Sequence, residues 1–270
     1  MPTNRHNRPE PLREFSMTLQ ALTELKTEAS TTASGEKPIL TAPALSNVLE
    51  EIGSLPAEAL FLGVATDGLP VLLNLYDPHP GPILIAGDAG SGKTAFLQTI
   101  AHSVAQTHRP DDVQFGVITN YAEEWESIES MPHRLGVFPV GYNRTQEFVS
   151  SLASWAHSNK NTQQCILLLV DDLESVASLD LETVQQIRWL LLRGPARRVW
   201  PIITLNAPRY GQTIAWLQNF RTRIFGRVAN GRVAEALGGA KASGLDQLES
   251  RIQFSLRENE NWLRFWLPSC

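Results

Sequence analysis

Gly87-Asp88-Ala89-Gly90-Ser91-Gly92-Lys93-Thr94 spells G-x-x-x-x-G-K-T between an apolar run and a helical one. Pro82 to Ala86 has the continuous apolar character of a strand buried on both faces, and Ala95 to Ala101 opens a helix. Strand, glycine loop and helix in that order commit the chain to an α/β architecture around a parallel sheet. Glycines let successive backbone N–H groups curl round a phosphate chain, and the helix N-terminus behind them favours negative charge. The whole stretch from Gly87 through Asp88, Ala89, Gly90, Ser91 and Gly92 is thus a candidate phosphate cradle. Lys93 would reach the β- and γ-phosphates, and the Thr94 hydroxyl would ligate Mg²⁺. A nucleoside triphosphate is the expected ligand.

The rest of the chain repeats the alternation. Ala59 to Asn74 alternates as a hairpin turning at Thr66-Asp67-Gly68. Further strands are expected at Val113–Thr119, Val137–Val140, Ile166–Val170 and Val199–Leu205, and helices at Ala44–Ser54, Thr145–Ser158 and Leu181–Leu192. Helices should cover both faces of the sheet. Ahead of this domain, expected over 41–270, residues 1–40 read as a tail. It carries an amphipathic helix over about 11–26, with Leu12, Phe15, Leu19, Leu22 and Leu25 on one side, and then a Thr/Ser/Ala/Gly linker. Such a helix must bury its stripe on the domain or on another subunit or protein.

No run of eighteen apolar residues is present and the first residues are polar, which predicts neither a membrane span nor a secretory leader. Cys165 and Cys270 are too few for a disulfide framework and fit a cytoplasmic setting, with Cys165 a small buried residue. The net charge of −5 conceals a block from Arg188 to Arg232 with nine arginines and no Asp, Glu or Lys. Outside it, 14 basic and 28 acidic side chains remain. The block either meets an anionic partner or pairs with acidic neighbours in the fold.

Cys165 to Val170 leads as an apolar strand into Asp171-Asp172. In phosphate-loop proteins the strand beside the loop delivers an Asp that holds Mg²⁺, a role that suits Asp171. Asp172 then falls where a carboxylate activates the attacking water, or else caps the turn that follows, with Glu174 as a substitute. Asn206 ends the strand from Pro201 and can sense the γ-phosphate. Arg223 and Arg227 flank Ile224-Phe225-Gly226, where an arginine could neutralise transition-state charge across a subunit boundary or simply form a structural pair.

Taken in order, these segments resemble the motor domain of FtsK/SpoIIIE-type DNA translocases. The resemblance runs from Leu60-Phe61-Leu62-Gly63 through Asp67-Gly68-Leu69-Pro70-Val71, Pro78-His79 and the loop to Met131-Pro132-His133 with Pro139-Val140. It continues in Thr222-Arg223-Ile224-Phe225-Gly226-Arg227-Val228 and closes on Trp262-Leu263-Arg264-Phe265. It implies a RecA-like fold with a mostly parallel sheet, ATP and Mg²⁺ as ligands, ATP hydrolysis in a homo-oligomeric, hexameric ring, and duplex DNA gripped without sequence preference. It also implies that Asp171 serves the metal, Asp172 the base position, Asn206 the sensor position, and Arg223 or Arg227 the interface. Four places depart from the pattern: Thr119-Asn120, Asp172, Asn206-Ala207-Pro208 and Gly194-Pro195-Ala196. Two alternatives to a DNA motor therefore stand. One is a weakly hydrolysing assembly subunit whose nucleotide state controls docking. The other is a motor subunit of a protein secretion machine.

Overall fold

Continuous apolar runs become the centre of the sheet, because a strand covered on both faces needs no polar side. The computed structural model describes residues 42–159, 162–239, 244–258 and 261–270, so the helix expected over 11–26 and its linker lie outside the described residues. The strands are β1 (Ala59–Ala65), β2 (Pro70–Asn74), β3 (Ile83–Gly87), β4 (Val113–Thr119), β5 (Arg134–Pro139), β6 (Cys165–Asp171), β7 (Val199–Asn206), β8 (Thr222–Phe225), β9 (Gln253–Glu258) and β10 (Asn261–Trp266). They form one sheet in the order β2-β1-β10-β9-β8-β3-β7-β6-β4-β5. The six strands from β8 to β5 are parallel, and β9, β10, β1 and β2 continue the sheet antiparallel. Every residue of β3 and β6 is buried, as is all of β7 but its last residue.

Alternation along the central strands sorts two cores. Leu84, Leu168, Val170, Ile203 and Phe225 face one side, beneath the helices Asn143–Ser158 and Leu181–Arg193. Ile83, Ile85, Leu167, Leu169 and Ile202 face the other, beneath the helix Lys93–Thr107, whose Phe96, Leu97, Ile100 and Val104 are buried. A smaller cluster seats Leu45, Val48 and Leu49 of the helix Leu45–Ile52 on Phe61 and Val64 of β1. This is the expected mixed α/β fold with helices on both faces of a large, mostly parallel sheet. Among the described residues no helix is long and apolar enough to cross a membrane. Cys165 is buried, and burial pushes its thiol up to about 12, in keeping with an inert core role.

Some elements differ from expectation. β5 starts at Arg134, three residues before the predicted Val137, because as the sheet's edge strand it is only half covered and shows no apolar run. The helix Gly231–Gly238 and the separate strand β9 were not anticipated. The helix is started by Asn230, whose side chain accepts hydrogen bonds from the N–H groups of Arg232 and Val233.

Candidate nucleotide-binding site

The loop, Lys93, Thr94, Asp171 and Asn206 lie together at the carboxyl ends of the parallel strands, where open α/β sheets place their ligands. β3 ends at Gly87, in register with Asn206 at the end of β7. The loop that follows turns through Gly90 and Gly92, both with positive φ, and delivers Lys93 as the first residue of its helix. At Gly92 (φ +97°) a side chain is excluded twice over, since a Cβ would also come within 2.6 Å of the Cα of Arg251. The Arg251 N–H donates to the Ser91 carbonyl at 2.9 Å, so the turn before β9 seals the loop from behind. No sequence signal marked Arg251 as part of the cradle.

Asp88 is held by β8's exit. Its N–H donates to the Arg227 carbonyl at 2.9 Å, and its carboxylate accepts from the Ala229 N–H at 2.8 Å. Ala89 and Gly90 are exposed at the loop's tip. Ser91 is buried, and its hydroxyl has no hydrogen-bond partner. Lys93 folds back over the loop, donating to the carbonyls of Gly87 at 3.0 Å and Asp88 at 2.8 Å. Burial lowers the Lys93 pKa, against the pull of Asp171, Asp88, Glu174 and Asp172. A half-desolvated ammonium hanging on two carbonyls is poised to exchange them for phosphate oxygens.

The Thr94 hydroxyl donates to Asp171 Oδ2 at 2.7 Å, and Thr204 on β7 donates to Asp171 Oδ1 at 2.7 Å. The strand that carries Asp171 is not beside the loop strand as expected. β7 lies between them, and Thr204 bridges the gap. One buried carboxylate against one hydroxyl suits Mg²⁺, which takes one or two carboxylates and completes its shell with phosphate oxygens and water. Thr94 and Asp171 thus fit the ion that the motif implies.

The neighbouring polar groups divide into engaged and free. Asp172 caps the helix Leu173–Ala177: its Oδ1 accepts from the Ser175 N–H at 3.0 Å and from the Ser175 hydroxyl at 2.9 Å. The Asn120 side chain donates to that same hydroxyl, tying the end of β4 into the turn. Asn206 Oδ1 is buried without a partner, while the Glu174 carboxyl is paired with that of Asp172. Burial above all, and then the adjoining Asp172 carboxyl, pushes Glu174 up to about 7.

The two flanking arginines part company. Arg223 is registered with Leu84, back from the loop, and its guanidinium donates to the carbonyls of Leu237, of Leu217 at 2.8 Å and of Phe220 at 3.4 Å. Arg227 is exposed beside the loop, with its Nε donating to the Asp246 carbonyl at 3.2 Å. Among the described residues, no arginine of the block is in an ion pair with a carboxylate. Arg188 lies over the Trp216 ring at 4.7 Å and Arg198 over Tyr76 at 4.2 Å.

Residues 60–161 match the model of the FtsK/SpoIIIE family, so the resemblance read from the motifs holds over that segment. The ESX-5 secretion system protein EccC5 of Mycobacterium marinum is 43% identical over 156 residues, covering 46% of this chain and 11% of that protein. The chain therefore corresponds to only a small fraction of the curated relatives' length. Among solved structures, Thermomonospora curvata EccC (ATPases 2 and 3) in complex with a signal sequence peptide superposes with a TM-score of 0.66 at 14% identity, over 90% of this chain and 46% of that one. The pCW3 conjugation coupling protein TcpA, in its monomer form with ATPγS, gives 0.66 at 14% over 85% and 70%. These two likenesses establish the shared fold.

Proposed function

We propose that the chain is an ATP-binding FtsK/SpoIIIE-type ATPase domain of the kind that serves protein secretion, turning over ATP slowly in isolation and acting on a polypeptide. The observation that carries the nucleotide part is the assembled trio of Lys93, Thr94 and Asp171 at one strand-end crevice. Kinship to the mycobacterial EccC5 supports a polypeptide over DNA as the thing moved. Lys93 and the loop N–H groups bind and orient the phosphates, while Thr94 and Asp171 would hold Mg²⁺. A bound ion would supply neutralisation of the charge that develops as the terminal phosphate is transferred. Asn206 orients groups near the γ-phosphate with its free carbonyl oxygen. Slow turnover follows from Asp172, whose Oδ1 is held as a helix cap by the Ser175 N–H and hydroxyl.

Arg227, exposed beside the loop, is the better of the two arginines for stabilising charge across a subunit boundary in a ring of copies in the cytoplasm. Arg223 is already committed within its own chain. DNA translocation is the second reading, supported by an arginine block in which, among the described residues, no arginine is ion-paired with a carboxylate.

The test is binding of a fluorescent ATP analogue, followed by turnover with either a secretion-signal peptide or linear duplex DNA added. Wild-type protein should bind the analogue and Lys93→Ala should not. Peptide stimulation supports the secretion reading, and DNA stimulation would transfer the assignment to the translocase. Analogue binding that survives Lys93→Ala unchanged would refute the site itself.

A further inference from the structure

β7 is apolar and buried from Val199 onward, except that a threonine, Thr204, interrupts it two residues before its end. Thr204 has no exposed surface, and a hydroxyl in such a place is costly unless it is bonded. Residues two apart on a strand share a face. Thr204 therefore lies on the side of Ile202, beneath the helix Lys93–Thr107, where Asp171 follows Leu167 and Leu169 along β6. There the Thr204 hydroxyl donates to Asp171 Oδ1 and the Thr94 hydroxyl to Asp171 Oδ2, each at 2.7 Å. Both distances have the shortness of hydroxyl–carboxylate bonds. Together they engage both oxygens of a carboxylate that is itself buried.

Rotation of a carboxylate about its Cβ–Cγ bond is soft. Thr94 by itself would leave Asp171 free to turn; a second donor on the other oxygen, arriving from a different strand, stops the rotation. A hydroxyl has one proton and two lone pairs. With its proton held by Asp171, the Thr94 oxygen has only lone pairs left to offer a cation. We propose that Thr204 is a positioning residue of the metal site: by fixing the Asp171 carboxylate, and through it the Thr94 hydroxyl, it sets a preference for Mg²⁺ over Ca²⁺. This rests on the reading of Thr94 and Asp171 as the groups that hold the ion. Mg²⁺ demands near-octahedral geometry at short distances, whereas Ca²⁺ accepts variable geometry and longer bonds. A carboxylate free to rotate therefore penalises Mg²⁺ first. Thr204 acts through Asp171 and needs no contact with the nucleotide.

Thr204→Val keeps the branched shape of the side chain and removes the donor. The experiment measures the affinity of the full chain for a fluorescent ATP analogue in EDTA, in saturating Mg²⁺ and in saturating Ca²⁺. The ratio of metal-supported to metal-free affinity isolates the ion's share of binding from that of Lys93 and the loop. Thr204→Val should leave the affinity in EDTA within about twofold and reduce the Mg²⁺ enhancement by about tenfold or more, the usual scale for a lost partner of a metal ligand. The Ca²⁺ enhancement should fall by less than about threefold. Thr204→Ser should restore the Mg²⁺ enhancement although it lacks the methyl group, which a packing role would not allow. Should Thr204→Val fail to fold, Thr204→Ala removes the same donor and is read in the same way. An unchanged Mg²⁺ enhancement in the variant without the hydroxyl, equal losses with the two ions, or a Thr204→Ser that behaves like it would each overturn the proposal. So would wild-type binding that Mg²⁺ does not strengthen. Failure of the wild type to bind the analogue in all three conditions would instead overturn the nucleotide reading.

Discussion

Arg223 and Arg227 look equivalent in the sequence, on either side of three residues, yet the fold gives them opposite duties. Three carbonyls accept from the Arg223 guanidinium, and removing it takes this donor from Leu237 and Phe220, while Leu217 keeps the Phe220 N–H. Arg223→Ala should therefore cost about 3 kcal/mol in urea unfolding, while Arg227→Ala, at an exposed position, should change stability by less than about 0.5 kcal/mol. Glu174 makes its own prediction. Its folded pKa of about 7 lies above its ordinary value of 4.5, so the folded state holds the proton more tightly than the unfolded chain does. Its contribution is most favourable below the lower value and declines as pH rises through the upper one. Glu174→Gln should consequently gain stability relative to wild type between those pH values, read as a growing difference in urea midpoints. A constant difference across that range would show that Glu174 is not held protonated. Solvent reaches part of the site, so the swing falls short of the full shift.

Helix Gly231–Gly238 shows how one element depends on both of its ends. Asn230 caps its start, and Arg223 takes up the Leu237 carbonyl near its close. Asn230→Ala should cost about 1 kcal/mol. Combined with Arg223→Ala it should cost less than the sum of the two, because an already frayed helix has less to lose. This helix escaped the sequence reading since its pattern is short and glycine-bounded, and because its stability comes from tertiary contacts more than from propensity. The central strands were legible for the opposite reason: β3, β6 and β7 are covered on both faces, so Ile83 to Ala86, Ile166 to Val170 and Val199 to Leu205 show as unbroken apolar runs. At the site, the loop, Lys93, Thr94 and Asp171 were legible as local strings or strand ends. Thr204 and Arg251 were not. Each acquires its role from a residue distant in sequence, and no spacing rule encodes that.

For the whole molecule, the acidic balance outside the arginine block opposes binding to a polyanion by a lone copy. Without nucleotide, a verified monomer should bind duplex DNA no more tightly than about 10 μM at physiological salt, with the steep salt dependence of phosphate contacts. Tighter binding that keeps this steep salt dependence would show that the arginines already form a complete nucleic-acid surface. The sheet also imposes an order on assembly. Hairpin β1–β2 reaches the parallel strands only through β10 and β9, and Gly92 finds its wall in Arg251. During synthesis on the ribosome, the entire phosphate-loop string emerges long before the residues that brace it. A nascent chain therefore passes through a period in which it carries the nucleotide motif but lacks a finished pocket, and its β1–β2 hairpin waits without an edge to join. Competence for ATP is acquired late, when the last antiparallel strands slot between what was made first and what was made next.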